Sequence, residues 1–177
     1  MTDTRRILAL DPANQTGWAY LTADGRRLFG TWGIAKPGDD HPGERLRRLR
    51  DGLVEFLEVY PADVIACEDA HFGSRNHETA AMHSELRGII KLLAAEHGAI
   101  YVAYKPATIK KFATGHGHAR KPQVMRACKT VLGIEPEDDN VADALFILEL
   151  ARQDRPAAAT RPKTRRRREP SPQSTLF

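Results

Sequence analysis

Residues 6–22, RILALDPANQTGWAYLT, begin with an apolar run that ends in a carboxylate at Asp11. A proline and a set of polar residues stop this run sharply, so the pattern predicts a buried strand followed by a turn. Residues 17–22 predict a second strand, and an Asp-Gly dipeptide after it predicts a hairpin into a third strand over residues 27–34. The chain is therefore expected to open with an antiparallel meander whose first strand delivers Asp11.

The apolar run at residues 63–67 repeats the pattern, because Glu68 follows it directly. Amphipathic spacing predicts a helix before this strand, up to Tyr60, and a long helix after it over residues 76–97. Residues 99–104 predict a fifth strand. Three more helices are predicted after that strand, one opening at Pro106, one over about residues 122–132 and one starting at Asp138 or Asp139. This order predicts an α/β fold in which a mixed sheet, three antiparallel strands and then parallel ones, is flanked by helices.

The length of 177 residues and the 41% hydrophobic content suit one domain with a single core. We expect that domain to cover residues 1–154, because residues 155–177 are rich in Pro, Arg, Ala, Thr and Ser and predict a disordered tail. The two cysteines lack the paired spacing of a disulfide framework or a zinc ribbon. No run is apolar enough for a membrane span and no signal peptide is recognised, so the sequence predicts a cytoplasmic protein.

Charge is distributed unevenly along the chain. The tail at residues 155–177 holds seven Lys/Arg against one Glu, whereas residues 1–154 hold 20 basic and 22 acidic residues. Between Glu96 and Glu135 there is no acidic residue, yet seven basic residues occur there. A stretch of one sign favours a polyanion surface, and a solvated loop is the alternative.

Asp11 and Glu68 are each expected at the end of a buried strand, where a charge is costly unless something compensates it. Acidic side chains that converge from different strands suit a hard divalent ion, and Mg²⁺ prefers a few carboxylates together with water and phosphate. The alternative is that each acid is only a loop residue or a helix cap. The strand ends therefore predict a candidate magnesium site.

A third group of acids lies at residues 138–144, DDNVADA. On a helix, residues three and four apart share a face, so either Asp139 or Asn140 lies beside Asp143. Asp138 and Asp139 also suit N-capping. Asp143 is harder to explain as a cap, because it falls on the apolar side of a helix made of Ala, Leu, Phe and Ile.

Taken together, these segments resemble the RuvC-type Holliday junction resolvases, which belong to the ribonuclease-H-like nucleases. The resemblance covers roughly residues 6–150. The matching segments, in chain order, are Asp11-Pro12 with Thr16-Gly17, then Cys67-Glu68, then Leu86-Arg87-Gly88, then residues 105–111 running into 114–121, and finally Ala142-Asp143-Ala144. The resemblance implies a bacterial or phage-encoded homodimer that nicks four-way DNA junctions with two Mg²⁺ ions per site, for which Mn²⁺ can substitute.

Carried over residue by residue, the resemblance implies that Asp11, Glu68 and Asp143 are catalytic metal ligands. The fourth acid is usually placed three residues before the last one, where this chain has Asn140, so we assign Asp139 instead and leave Asp138 and Asn140 as alternatives. Lys110 and Lys121 fall where the family has basic residues serving the scissile phosphate, and a charge at Lys121 would assist catalysis.

The DNA-binding surface that we expect combines an aromatic side chain with basic and histidine side chains. Phe72 matches an aromatic residue that inserts among junction bases, although it lies one residue later than the family pattern, and a core position is the alternative. The remaining residues of this surface are Lys105, Lys110, Lys111, His116, His118, Arg120 and Lys121.

The end of the tail, Gln173 to Phe177, resembles the short Gln-x-x-Leu-Phe peptides that dock on the bacterial sliding clamp. The clamp is therefore a candidate partner. Two other functions remain open on sequence alone. One is a broader nuclease for branched DNA, and the other is a non-catalytic DNA-binding module whose acids serve only as caps.

Overall fold

The structure, a computed structural model, describes residues 5–39, 41–69 and 77–156. It is built on one five-stranded sheet in the order β3-β2-β1-β4-β5. The strands are β1 (Ile7–Asp11), β2 (Gln15–Leu21), β3 (Arg27–Gly33), β4 (Val64–Glu68) and β5 (Ile100–Tyr104). The first three strands are antiparallel, whereas β1, β4 and β5 run parallel to one another. The predicted mixed sheet is thus confirmed.

In the part of the chain that the structure describes, five α-helices cover the two faces of this sheet. They are α1 (Glu44–Val59), α2 (His77–Glu96), α3 (Pro106–Thr114), α4 (Lys121–Ala127) and α5 (Asp139–Asp154). One core forms between the sheet and α1 and α2, and the other forms between the sheet and α3, α4 and α5. Among the helices that the structure describes, none is long and apolar enough to cross a membrane.

Alternation along the central strands decides which face each side chain meets. In β1, Leu8 and Leu10 belong to the core under α1 and α2, whereas Ile7 and Ala9 belong to the core under α5. Successive strand residues point to opposite faces, so Asp11 follows Ala9 toward α5. The same rule directs Glu68, two residues after Ala66, toward α5.

The element boundaries agree with the sequence-based prediction to within one or two residues, with one difference. The helix predicted over residues 122–132 is α-helical only to Ala127 and continues as a π-helical segment, Cys128–Leu132. The change coincides with Cys128, which is fully buried and whose thiol donates to the carbonyl of Ala142 in α5 at 3.7 Å. Helix periodicity in the sequence does not report this packing contact.

Candidate active site

Two of the expected acids end neighbouring strands. In the parallel pairing of β1 and β4, Leu10 lies opposite Cys67, so Asp11 and Glu68 come next at the same edge of the sheet. Both point toward α5 by the alternation described above. Asp11 is only 6% exposed. The sheet therefore brings two carboxylates together beneath a helix.

Helix α5 is attached to the sheet by its first residues. Asp138 caps the helix by accepting from the Val141 amide at 2.8 Å, and it also accepts from the Thr31 hydroxyl on β3 at 3.1 Å. A Cβ added at Gly17, which pairs with Asp11 across β1 and β2, would lie 2.2 Å from the Asn140 carbonyl oxygen. Only glycine allows so close an approach of strand and helix backbones. This contact sets α5 directly against the strand end that carries Asp11.

Asp143 lies about one helical turn after Asn140 and faces Asp11 and Glu68. Its Oδ1 is buried without a hydrogen-bond partner among the residues that the structure describes. Buried polar oxygens are nearly always paired, so an orphaned one in an acidic cluster indicates a ligand position. No described Lys or Arg forms an ion pair with Asp11, Glu68 or Asp143.

The electrostatics of the three acids reflect this lack of compensation. Burial, reinforced by the charges of Glu68 and Asp143, raises the pKa of Asp11 well above its ordinary value. Burial and the Asp143 charge raise the pKa of Glu68 to about 7, although the Lys110 charge and a side-chain hydrogen bond with Asp11 oppose the shift. Burial raises the pKa of Asp143 to about 6. Like charges brought together in a desolvated site have this effect, and a cation would reverse it.

The structure distinguishes the three candidates for the fourth acid. The Asp138 side chain is used as a cap, and Asn140 meets Gly17 through its backbone. Asp139 is ion-paired with Lys121, and its charge raises the pKa of both Asp11 and Asp143. Among the three candidates, only the side chain of Asp139 acts on the other acids. This favours Asp139 as the fourth residue of the candidate metal site.

The acidic cluster fits a divalent cation. Within the described ranges, no three acidic, His or Cys side chains are already grouped closely enough to hold an ion. The buried acids nevertheless have raised pKa values, and Asp143 offers a free oxygen of the type that hard cations prefer. The side chains that would hold the metal are Asp11, Glu68 and Asp143, with Asp139 released from Lys121.

The expected basic residues lie on α3, α4 and the loop between them. Lys110 is half-buried, and its charge lowers the pKa of both Glu68 and Asp143, so it faces the acidic cluster. The other expected DNA-contacting residues in this region are all exposed, namely Lys105, Lys111, His116, His118, Arg120 and Lys121. Phe72 lies outside the described residues, so its assignment stays a prediction.

One feature next to the site is absent from the sequence-based assignment. Arg87 of α2 forms an ion pair with Asp69, the residue after Glu68. Alternation along β4 could have placed Asp69 on the face opposite Glu68, toward α1 and α2. The arginine itself was identified only as part of a family motif.

A five-stranded sheet in this order, with acids meeting at the ends of its two central strands, defines a nuclease of the ribonuclease-H-like class. The model of the family described as crossover junction endodeoxyribonuclease RuvC matches residues 7–149. The chain therefore belongs to the RuvC family of crossover junction endodeoxyribonucleases.

Individual relatives agree with this assignment. The RuvC of Rhodopirellula baltica is 37% identical over 80% of this chain and 82% of that protein. The RuvC of Rhodopseudomonas palustris is 34% identical over 80% of this chain and 83% of that protein. Among solved structures, T. thermophilus RuvC in complex with a Holliday junction substrate is similar with a TM-score of 0.70 and 25% identity, over 85% of this chain and 96% of that one.

Proposed function

We propose that this chain resolves four-way DNA junctions by hydrolysing backbone phosphodiesters, with two Mg²⁺ ions held by Asp11, Glu68, Asp139 and Asp143. The observation that carries the proposal is the buried group of Asp11, Glu68 and Asp143, which form no ion pair among the described residues and in which Asp143 Oδ1 is left unbonded. Such an arrangement is costly for folding, and a bound divalent ion offsets that cost.

The chain's own residues have distinct parts in this reaction. The acids would hold the metal, because β1, β4 and α5 present them toward one another from three separate elements. A divalent ion bound there would supply activation of the attacking water and neutralisation of charge on the phosphate. Lys110 lies within electrostatic reach of Glu68 and Asp143, so it can hold the scissile phosphate beside them.

Lys121 has a different part, because it is ion-paired with Asp139. If Asp139 held a metal, the Lys121 ammonium would be free to exchange this partner for the phosphate. Its side chain is otherwise largely exposed, so this exchange needs no rearrangement of the core. The exposed Lys105, Lys111 and Arg120 extend the positive surface along α3 and α4 for the arms of the junction.

Cleavage of matched DNA substrates tests the proposal. A four-way junction, a replication fork and a linear duplex of the same sequences are incubated with the protein in Mg²⁺, in Mn²⁺ and in Ca²⁺. Paired nicks in the junction alone, in Mg²⁺ or Mn²⁺, are expected. Equal cutting of fork and junction would support the broader branched-DNA nuclease, and binding without cutting in any ion would support the DNA-binding module.

We also propose that the chain acts as a homodimer, because two symmetry-related strands of a junction must be cut. On the outer face of α2, Leu92 is 54% exposed, and one turn before it Gly88 faces open space. A second copy can pack closely on such a face. Light scattering should give twice the chain mass, and Leu92→Arg should halve it, whereas Val59→Arg, at an exposed position on α1, should leave the dimer intact.

The sliding clamp is a second proposed partner, through residues 173–177, which lie outside the described residues. Leu176 and Phe177 would fill an apolar pocket on the clamp. Replacing both by Ala should abolish capture of the chain by immobilised clamp while junction cleavage stays unchanged. Ser174→Ala is the matched control, and equal capture of both variants would refute the interaction.

A further inference from the structure

Glu68 and Asp69 are adjacent at the end of β4, but their side chains meet different parts of the molecule. Glu68 points toward α5 and the other acids, whereas Asp69 contacts Arg87 on α2, which covers the opposite face of the sheet. The strand end is therefore held from the face that carries no acid of the proposed metal site.

Asp69 is held by two neighbours at once. Its amide donates to the Tyr104 carbonyl at 2.7 Å, which extends the pairing of β4 with β5 by one residue. Its carboxylate accepts from Nη1 of Arg87. The two side chains are 17% and 32% exposed, so the ion pair is largely screened from water. Backbone and side chain of Asp69 are both fixed immediately after Glu68.

Arg87 also donates to the Tyr101 hydroxyl, but one of its polar atoms is left unsatisfied. Its Nε is buried without a hydrogen-bond partner in the part of the chain that the structure describes. A buried N–H left unpaired is unfavourable, and a half-buried ion pair adds little stability beyond its own desolvation. Stability alone is therefore a poor explanation for an arginine here.

We propose that Arg87 is a positioning residue for the nuclease reaction, which holds the Glu68 carboxylate in the acidic cluster through its ion pair with Asp69. This inference rests on the proposed function of the cluster. Without Arg87, Asp69 turns to solvent and the end of β4 loses its support on the α2 face. A displacement of about 1 Å at a reacting group can cost about 10²-fold in rate.

The other end of β4 provides a matched control. There Arg6 and Asp63 form an ion pair at 2.7 Å, and the Arg6 amide also donates to Asp63 at 2.9 Å. This pair joins the starts of β1 and β4 just as the pair of Arg87 and Asp69 joins the end of β4 to α2. A purely structural role predicts similar consequences for the loss of either arginine.

The experiment compares Arg87→Met, Arg87→Lys and Arg6→Met in the full-length chain. Mn²⁺ affinity is measured by calorimetry without DNA, junction affinity in Ca²⁺, single-turnover cleavage in Mg²⁺, and melting temperature. Arg87→Met should weaken Mn²⁺ binding by about tenfold or more and slow cleavage by about 10- to 100-fold, with junction affinity unchanged. Arg87→Lys should keep most of the Mn²⁺ affinity and most of the cleavage rate. Arg6→Met should change only the melting temperature.

If Arg87→Met leaves a buried Asp69 that prevents folding, the double variant Arg87→Gln with Asp69→Asn removes both charges and should fold while still binding Mn²⁺ weakly. Wild-type Mn²⁺ affinity in that double variant, or equal loss of affinity in Arg6→Met, would overturn the proposal. A wild-type chain that binds Mn²⁺ but cuts no junction would instead refute the proposed function, and the affinity comparison would still test Arg87.

Discussion

At the start of β1 and β4, Arg6 and Asp63 neutralise each other through three hydrogen bonds. At the end of the same two strands, Asp11 and Glu68 meet with no cation paired to them among the described residues, and Asp143 joins them from above. The guanidinium lowers the pKa of Asp63, whereas burial and like charges raise the pKa of all three clustered acids.

The two ends of β1 and β4 therefore differ in what their acidic side chains do. Asp63 stabilises the fold through its ion pair, whereas the clustered acids are proposed to serve the reaction. A paired carboxylate at a strand end supports folding at neutral pH. An unpaired and buried one opposes it, and persists only because the rest of the domain is stable enough to hold it.

Asp11→Asn should have the largest effect on cleavage, because it removes an acid from the proposed metal site. The variant should cut a synthetic four-way junction in Mg²⁺ at least about 10³-fold more slowly, because a lost metal ligand removes several kcal/mol of transition-state stabilisation. Junction binding in Ca²⁺ should persist in a gel-shift assay. Asp63→Asn is the control at the paired end and should cut normally; undiminished cutting by Asp11→Asn would remove Asp11 from the site.

Gly17→Ala should displace the acids without changing any of them. The added methyl group would meet the Asn140 backbone at 2.2 Å, so α5 must move away from β2. Cleavage should fall by about 10²-fold, and overpacking should reduce stability by about 1 to 3 kcal/mol. In Gly52→Ala the new methyl group meets open space, so its cleavage rate should be unchanged. A rate for Gly17→Ala within twofold of wild type would mean that the contact is not critical.

The pH dependence of stability should differ between the acids at the end of β1 and β4 and the ion pair at their start. With the pKa of Glu68 raised to about 7 and that of Asp143 to about 6, the folded chain binds more protons than the unfolded chain between about pH 4 and 7. Metal-free stability therefore falls as pH rises through that window. Asp143→Asn should raise the melting temperature at pH 8 by about 4 to 8 °C, which corresponds to about 2 kcal/mol.

Two conditions sharpen this measurement. The advantage of Asp143→Asn should vanish near pH 4, where the wild-type acid is already protonated, and it should shrink when Mg²⁺ stabilises the wild-type chain. An Asp143→Asn variant less stable than wild type at pH 8 without metal would contradict the view that this acid opposes folding.

Loss of the ion pair at the start of β1 and β4 should have the smallest effect. Asp63→Asn should lower stability, whereas Asp143→Asn should raise it. Asp63 has a lowered pKa, so its contribution is present above its unfolded pKa and is lost as pH falls through the folded pKa. Because the pair is about 40% exposed (36% for Arg6 and 42% for Asp63), Asp63→Asn should destabilise the chain at pH 7 by only about 0.5 kcal/mol. Urea unfolding at pH 7 and pH 3 measures this, and a larger loss at the lower pH would reverse the argument.

Sequence patterns were sufficient for most of the fold. Each central strand is a short apolar run bounded by turn or charged residues, and such runs are local signals. The same logic located Asp11 and Glu68, because the carboxyl ends of parallel strands meet at one edge. Their roles as metal ligands stay predictions.

Tertiary contacts add what local sequence patterns do not contain. Helix periodicity puts both Asp139 and Asn140 near Asp143, and only the docking of α5 on Gly17 and Thr31 separates them. Asp69 and Arg87 are 18 positions apart in the sequence, and no sequence periodicity predicts their ion pair. The π-helical segment after Ala127 likewise reflects packing on α5 and has no local sequence signal.

The position of α5 in the chain has a consequence for how the protein is made. This helix carries Asp139 and Asp143, yet it is the last of the described elements. During synthesis, the sheet and its first two acids emerge from the ribosome well before α5 does. The growing chain therefore lacks half of the proposed metal ligands until α5 has emerged, and the proposed site is assembled only when α5 docks on the finished sheet.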